Sequence, residues 1–174
     1  MTRDNITITR AATGEDLNAV RALMEEYLEW HHARYAQFQE LIDKYFDHAG
    51  FWEEVENLPG NYAPPQGRLL IAHRGADPLG CVALRDLGDG IAEMRRMFVT
   101  QRAQGAGVGT LLARRVMMEA KELGYQTMRL DTGWQQREAV QMYERLGFRH
   151  ILPYYKAPVA LQDSLVFMET SLHS

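Results

Sequence analysis

Three glycines at alternate positions, Gly105, Gly107 and Gly109, stand between an apolar run ending at Val99 and a helical run beginning around Thr110 and Leu111. Backbone without Cβ atoms can turn its N–H groups onto an anion at a helix start, where the helix dipole also favours negative charge. An ordinary strand-to-helix turn is the plainer use of a glycine, although such a turn needs one glycine more often than three. No lysine follows Gly109, so the phosphate loop of the common NTPases is excluded. A dinucleotide fingerprint is weak here. Thr110 stands where its third glycine belongs and five residues separate the loop from Val99, although Asp131 lies near the distance expected for the ribose-binding acid.

Two other reactive residue types lead nowhere in the sequence. Cys81 is the only cysteine, lies in the apolar segment Gly80 to Leu84 with no basic neighbour, and reads as a core thiol in a reducing compartment. His31 and His32 are adjacent, so on a helix they point about 100° apart, and no acid or cysteine spacing completes a metal set.

The elements that must position the glycine turn follow from periodicity. Ile6 and Ile8 alternate as a first strand. Thr13 with Asp16 makes a capping box, and Leu17, Val20, Met24, Tyr27 and Leu28 predict a helix to about His32. Residues 36 to 57, rich in aromatics, predict one or two further helices ended by Leu58-Pro59-Gly60, and residues 61 to 67 with two adjacent prolines read as a loop. Segments 69 to 72, 79 to 84 and 91 to 99 predict an antiparallel meander. After the glycine turn, Val108, Leu112, Val116, Ala120 and Leu123 form a helical stripe with Gly124 as its stop. A strand over 127 to 131, a helix carrying Ala139, Met142, Tyr143 and Leu146, a strand from Phe148 and a last one over 164 to 168 complete the order.

At 174 residues with 46% hydrophobic content the chain suits one domain, 1–174. The formal net charge of -4 argues against a nucleic-acid binder. The opening Met1-Thr2-Arg3-Asp4-Asn5 has no apolar signal core, and no run approaches a membrane span, so a cytoplasmic protein is expected.

Gln104-x-x-Gly107-x-Gly109 after an apolar strand resembles the acetyl-coenzyme A loop of the GCN5-related N-acetyltransferase family, and Ala139-x-x-Met142-Tyr143-x-x-x-Gly147-Phe148 is similar to that family's helix and closing strand. The two motifs cover about residues 91–149. The resemblance implies an α/β fold: a single domain with a mixed, mostly antiparallel sheet of about six or seven strands, flanked by helices. Its neighbouring parallel strands are expected to splay after Val99 and around Asp131, leaving a wedge for the pantetheine arm.

It also implies the site residues. The pyrophosphate of acetyl-CoA, the expected cosubstrate, would take the backbone N–H groups of Gln104, Gly105, Ala106, Gly107, Val108, Gly109 and Thr110, with Arg102 as an added phosphate contact. The pantetheine would run along Phe98 and Val99, with the Val99 N–H directed at the thioester oxygen. Gln136 occupies a position where many relatives carry an asparagine that binds the cofactor. Tyr143 is the expected donor to the departing thiolate, and Glu93, eleven positions ahead of Gln104, the expected general base; a strand glutamate facing solvent or paired with Arg95 is the plainer reading. No metal is expected. An N-terminal wall holding Glu25, Glu26, Tyr27, Glu29, Trp30, His31, His32 and Tyr35 would suit a cationic amine, and Leu152 to Pro158 would close over it. The expected function is transfer of an acetyl group from acetyl-CoA to a primary amine of a small molecule or peptide by direct attack, the alternative being a non-catalytic acyl-CoA sensor. The expected partners are that acceptor and, as an open option, a second copy of the chain in a homodimer, with no nucleic acid or membrane.

Overall fold

Helices cover both faces of a single seven-stranded sheet in the computed structural model, which describes residues 5–48 and 50–173. The sequence-stretch 1–4, where no apolar signal core was found, lies outside the described residues. The strands are β1 (Ile6–Arg10), β2 (Arg68–Arg74), β3 (Asp77–Gly88), β4 (Ile91–Val99), β5 (Thr127–Gly133), β6 (Arg149–Ile151) and β7 (Leu165–Ser171). Their order across the sheet is β1-β2-β3-β4-β5-β7-β6, and only β4 and β5 run parallel. A sheet of six or seven strands, mixed and mostly antiparallel, was the expectation, and the α/β class stands.

The helices are α1 (Gly14–Arg34), α2 (Gln39–His48), α3 (Phe51–Glu56), α4 (Val108–Glu122) and α5 (Arg137–Arg145). The capping box forms as read: the Thr13 hydroxyl accepts from the Asp16 N–H at 3.1 Å while the Asp16 carboxylate accepts from the Thr13 N–H. The two predicted apolar stripes divide the core. Val20, Met24 and Leu28 of α1 join Phe46, Phe51 and Phe98 under one face, and Val108, Leu112, Val116 and Ala120 of α4 join Leu70, Val82 and Met128 under the other.

Two irregularities in β4 position the site. Its ladder with β5 contains three pairs, Ile91 with Thr127, Ala92 with Met128 and Glu93 with Arg129. The parallel strands therefore part after Glu93, six residues earlier than the expected divergence after Val99. The cause is the second irregularity. Against β3, the register jumps between Cys81 with Phe98 and Ala83 with Arg95, so β4 carries an extra residue, and Arg96 takes the left-handed conformation at φ 55°. A bulge of this kind bends its strand and sharpens its twist, and here it turns the second half of β4 away from β5.

Beyond the bulge, Val99 pairs with Gly80, and the Thr100 N–H donates to the Leu79 carbonyl at 2.9 Å. In an antiparallel ladder that alternation turns the N–H and C=O of Val99 away from β3, toward the gap. The carbonyl is taken by the Gln104 side-chain amide at 3.1 Å.

Candidate active site

The glycine turn lies at the mouth of the gap between β4 and β5. Gly105 and Gly107 both have φ of +83°, which a residue with a Cβ adopts only at a cost, and Gly107 is the N-cap of α4 without a side-chain cap. The first carbonyl used by the helix is that of Gly107, accepting from Leu111. The N–H groups of Gly105, Gly107, Val108, Gly109 and Thr110 find no acceptor among the described residues. Orphan donors at a helix start are satisfied by water, a capping side chain or an anion, and this turn supplies no capping side chain. They open on a groove of about 530 Å³ that runs past Val99 and Met142 toward Gln136 and Ala139.

Arg102 does not line that groove. Its guanidinium pairs with Asp77 at 2.5 Å and donates to the Pro78 carbonyl at 2.9 Å, on the outer side of the turn. Phe98 buries its ring against α1 near Tyr27 and Trp30, so only its backbone adjoins the gap. Gln136, the N-cap of α5, lines the groove and the two smaller cavities next to it, which places it at their junction.

Tyr143 is held at that junction by the way α5 ends. Gly147, at φ +99°, follows the last turn, its N–H bonds the Glu144 carbonyl, and the Phe148 N–H bonds the Tyr143 carbonyl at 3.0 Å. This double closure terminates the helix and seats the Tyr143 ring against Phe148, centroids 5.6 Å apart. The Tyr143 side chain is buried, its hydroxyl makes no hydrogen bond within the described residues, and the residue lines a cavity shared with Tyr27, Glu93 and Asp131. Burial pushes its phenol above the ordinary tyrosine range, with smaller effects of Tyr27 and Asp131 in the same direction, so it stays protonated at neutral pH. Burial likewise raises Tyr27, to about 12.

Glu93 sits where the strands part and is 2% exposed. Both its oxygens are engaged. Oε1 accepts from Arg85 Nε at 2.7 Å and from Arg95 at 3.3 Å, and Oε2 accepts from the Tyr154 hydroxyl at 2.7 Å. The pairing with Arg95 that the strand spacing suggested is thus present, joined by two partners from outside the strand.

Asp131, on the opposite lip, was noted in the sequence for its distance from the glycines and as the point around which β5 splays, not as a charged group of the site. Its two oxygens accept from the Tyr45 and Tyr155 hydroxyls, each at 2.8 Å. No guanidinium or ammonium pairs with it among the described residues. The adjacent tyrosines after β6 were a signal for this arrangement, since a Pro-flanked Tyr154-Tyr155 dipeptide in a loop is costly to expose. The segment from Leu152 to Pro158 lies across the lips of the gap, with the Tyr154 hydroxyl on Glu93 and the Tyr155 hydroxyl on Asp131.

The N-terminal wall beside Asp131 is aromatic rather than acidic. Tyr27, His31, Phe38, Tyr45 and Trp134 line a cavity beside Asp131, whereas Glu25 and Glu29 are exposed and, with Glu26, line none of the cavities described here. Trp30 and Tyr35 face the groove of the glycine turn instead. His32 pairs with Asp43 at 2.7 Å on the surface. Cys81 is fully buried, donates to the Arg96 carbonyl at 3.4 Å, and is pushed up to about 12 by burial.

The chain is similar to known proteins along nearly its whole length. Residues 21–148 match the model of the acetyltransferase (GNAT) family. An uncharacterized N-acetyltransferase of Schizosaccharomyces pombe is 32% identical over 99% of this chain and 98% of its own length. An IAA acetyltransferase of Azospirillum brasilense is 31% identical over 97% of this chain and 99% of its own. The PaiA N-acetyltransferase of Thermoplasma acidophilum, solved in complex with coenzyme A, shares the fold with a TM-score of 0.69 at 19% identity, covering 96% of this chain and 99% of that one.

Proposed function

The chain belongs to the GNAT acetyltransferase family and is an acyltransferase, and from that premise we propose that it moves the acetyl group of acetyl-CoA onto the primary amine of a small molecule or peptide by direct attack. The observation that carries the reading is the set of unpaired backbone donors at the start of α4, opening on a groove that shares Met97, Gln136 and Ala139 with the cavity lined by Tyr143. In this reading the N–H groups of Gly105, Gly107, Val108, Gly109 and Thr110 hold the pyrophosphate, those of Gln104 and Ala106 being already bonded to the Gln101 and Ala103 carbonyls at 3.3 Å, and the backbone of Phe98 and Val99 pairs with the pantetheine arm. Arg102 reaches a phosphate only by leaving Asp77.

The chemistry then assigns itself to groups around the gap. The amine nitrogen forms a C–N bond to the thioester carbonyl carbon, and the Val99 N–H stabilises the oxygen as it gains charge, an effect of about 3 kcal/mol for one well-placed donor. The C–S bond breaks with its electron pair on sulfur, and Tyr143 donates to that sulfur. Because burial raises the phenol, its contribution is stabilisation by a hydrogen bond more than complete proton transfer. The proton lost by nitrogen passes to a carboxylate and, through solvent, restores the thiol. The net products are an N-acetyl amine and CoA thiol. A covalent detour through Cys81 is disfavoured by its burial and raised pKa.

Of the two carboxylates, Asp131 suits the proton better, because it is held only by neutral hydroxyls while Glu93 already faces two guanidinium groups. Glu93 is the second reading, favoured by its position eleven residues before Gln104. The test of the function is CoA-thiol release from acetyl-CoA with a panel of amino acids, polyamines, aminoglycosides and peptide N-termini. Release with at least one amine is expected; tight acetyl-CoA binding with no release across the panel would favour an acyl-CoA sensor.

A further inference from the structure

On the outer side of Asp131 lies a cavity of about 270 Å³ that the transfer chemistry above leaves unused, lined by Tyr45, His48, Arg85, Arg95, Asp131 and Tyr155. Its charges are arranged as a dipole. At one end Arg85 and Arg95 share a single carboxylate oxygen, Glu93 Oε1, and the next carboxylate, Glu54, reaches Arg95 only at 4.0 Å. Arg85 uses only its Nε in that contact, and the second terminal nitrogen of Arg95 stands 4.0 Å from Glu54, beyond hydrogen-bond reach. Glu54 is in turn engaged by Arg96 at 2.5 Å. Terminal N–H groups of both arginines are therefore free to receive an anion. At the other end is Asp131, an anion bonded only to the hydroxyls of Tyr45 and Tyr155. His48, the remaining titratable side chain, closes the rim with its ring stacked on Tyr155 at 6.1 Å.

Asp131, Tyr45 and Arg95 also line the cavity that holds Tyr143, so the dipolar slot opens directly onto the place of transfer. On its third side Asp131 adjoins an apolar chamber formed by Phe38, Leu41, Ile42, Trp134, Leu161 and Leu165.

We infer that the acceptor is a free α-amino acid with an apolar side chain, its amino group beside Asp131, its carboxylate on Arg85 and Arg95, and its side chain in the apolar chamber. This rests on the N-acetyltransferase reading and narrows it. A polyamine would bring a second cation against the arginines, and a peptide N-terminus would bring a neutral amide, leaving their remaining terminal N–H groups without an anionic partner. During transfer the amino nitrogen exchanges one hydrogen for the acetyl carbon and the CoA sulfur gains a hydrogen, so the carboxylate takes no part in the bonds that change and serves binding alone.

Matched acceptors test the assignment: L-leucine against L-leucinamide and isopentylamine, and L-phenylalanine against L-phenylalaninamide and phenethylamine, followed by CoA-thiol release. The amino acids are expected to exceed both partners by at least tenfold in kcat/KM. Neutralising the carboxylate lowers the pKa of the neighbouring amine and so favours the amide chemically, and a preference for the acid therefore reports the slot. Arg85→Gln is expected to shrink the acid-to-amide ratio about tenfold, mainly through KM of the acid, and Arg85→Lys to restore part of it; loss of a merely structural contact would lower all acceptors alike. Equal or better turnover of the amide or amine, or a ratio unmoved in Arg85→Gln, overturns the inference while leaving the acetyltransferase reading intact. Absence of release with every amine overturns both.

Discussion

The Tyr154 hydroxyl donates to Glu93 Oε2 at 2.7 Å across a separation of 61 positions, and through this bond the loop after β6 is fastened to the strand that flanks the cofactor gap. With Tyr155 bonded to Asp131 in the same way, one short loop touches both carboxylates of the site. Burial, and then the adjacent carboxylate, raise both phenols above the usual range. They remain donors throughout the neutral range, and the two carboxylates are held apart and oriented.

Asp131 and Glu93 are separable by their pH profiles. Asp131→Asn is expected to lower kcat/KM by roughly 10²-fold to 10³-fold and to flatten the acidic limb of its pH profile, as removal of a general base does. Glu93→Gln is expected to lower the rate while keeping that limb, since its partners Arg85, Arg95 and Tyr154 only lose an anchor. The opposite pattern, a limb lost with Glu93 and kept with Asp131, would move the base to Glu93.

Tyr143→Phe removes a hydroxyl without changing the ring that packs on Phe148. Turnover is expected to fall at least tenfold with the KM for acetyl-CoA changed less than threefold, the mark of an interaction made in the transition state. Steady-state kinetics at saturating acceptor measure this, and unchanged turnover would remove Tyr143 from the chemistry.

At the glycine turn, Gly107→Glu combines a left-handed φ that costs roughly 1 kcal/mol for a residue with a Cβ with a negative charge at the anion site. Acetyl-CoA affinity by titration calorimetry is expected to weaken more than tenfold. Because no atom lies within 4 Å of the position of a Cβ there, the thermal midpoint is expected to fall by only a few degrees. Binding at the wild-type level would exclude the turn as the phosphate cradle.

His31 makes stability fall in acid. Its ring is buried among Tyr27, Trp30 and Phe46, and its Nε2 has no hydrogen-bond partner among the described residues. Burial, assisted by neighbouring His32, lowers its pKa from 6.5 to about 4. The unfolded chain therefore binds this proton more readily than the folded one. The stabilising effect of the neutral ring is complete above pH 6.5 and is lost as the pH falls toward about 4, to an extent of roughly 3 kcal/mol. Urea titrations of wild type and His31→Gln at pH 7 and pH 4.5 should show a markedly smaller pH difference in the variant. Equal slopes with pH would show that His31 titrates normally.

Much of this molecule is legible along the chain. The capping box at Thr13, the α4 stripe, the strand from Ile91 to Val99, the glycine turn and the closure of α5 at Gly147 depend on residues within a few positions of one another, where periodicity and backbone conformation act directly. The family motifs and the turn proposed as the cofactor cradle are local in that sense, as is the seat of Tyr143. The environment of the two carboxylates is not. Glu93 meets Arg85 through strand pairing and Tyr154 through a loop; Asp131 meets Tyr45 from 86 positions away; and Arg102 turns from the groove to Asp77 across 25. The early parting of β4 and β5 follows from the bulge at Arg96, whose left-handed backbone no glycine announces. Such contacts are set by register, strand bending and the docking of a loop, which place charges by distance in space, whereas sequence patterns report only distance along the chain.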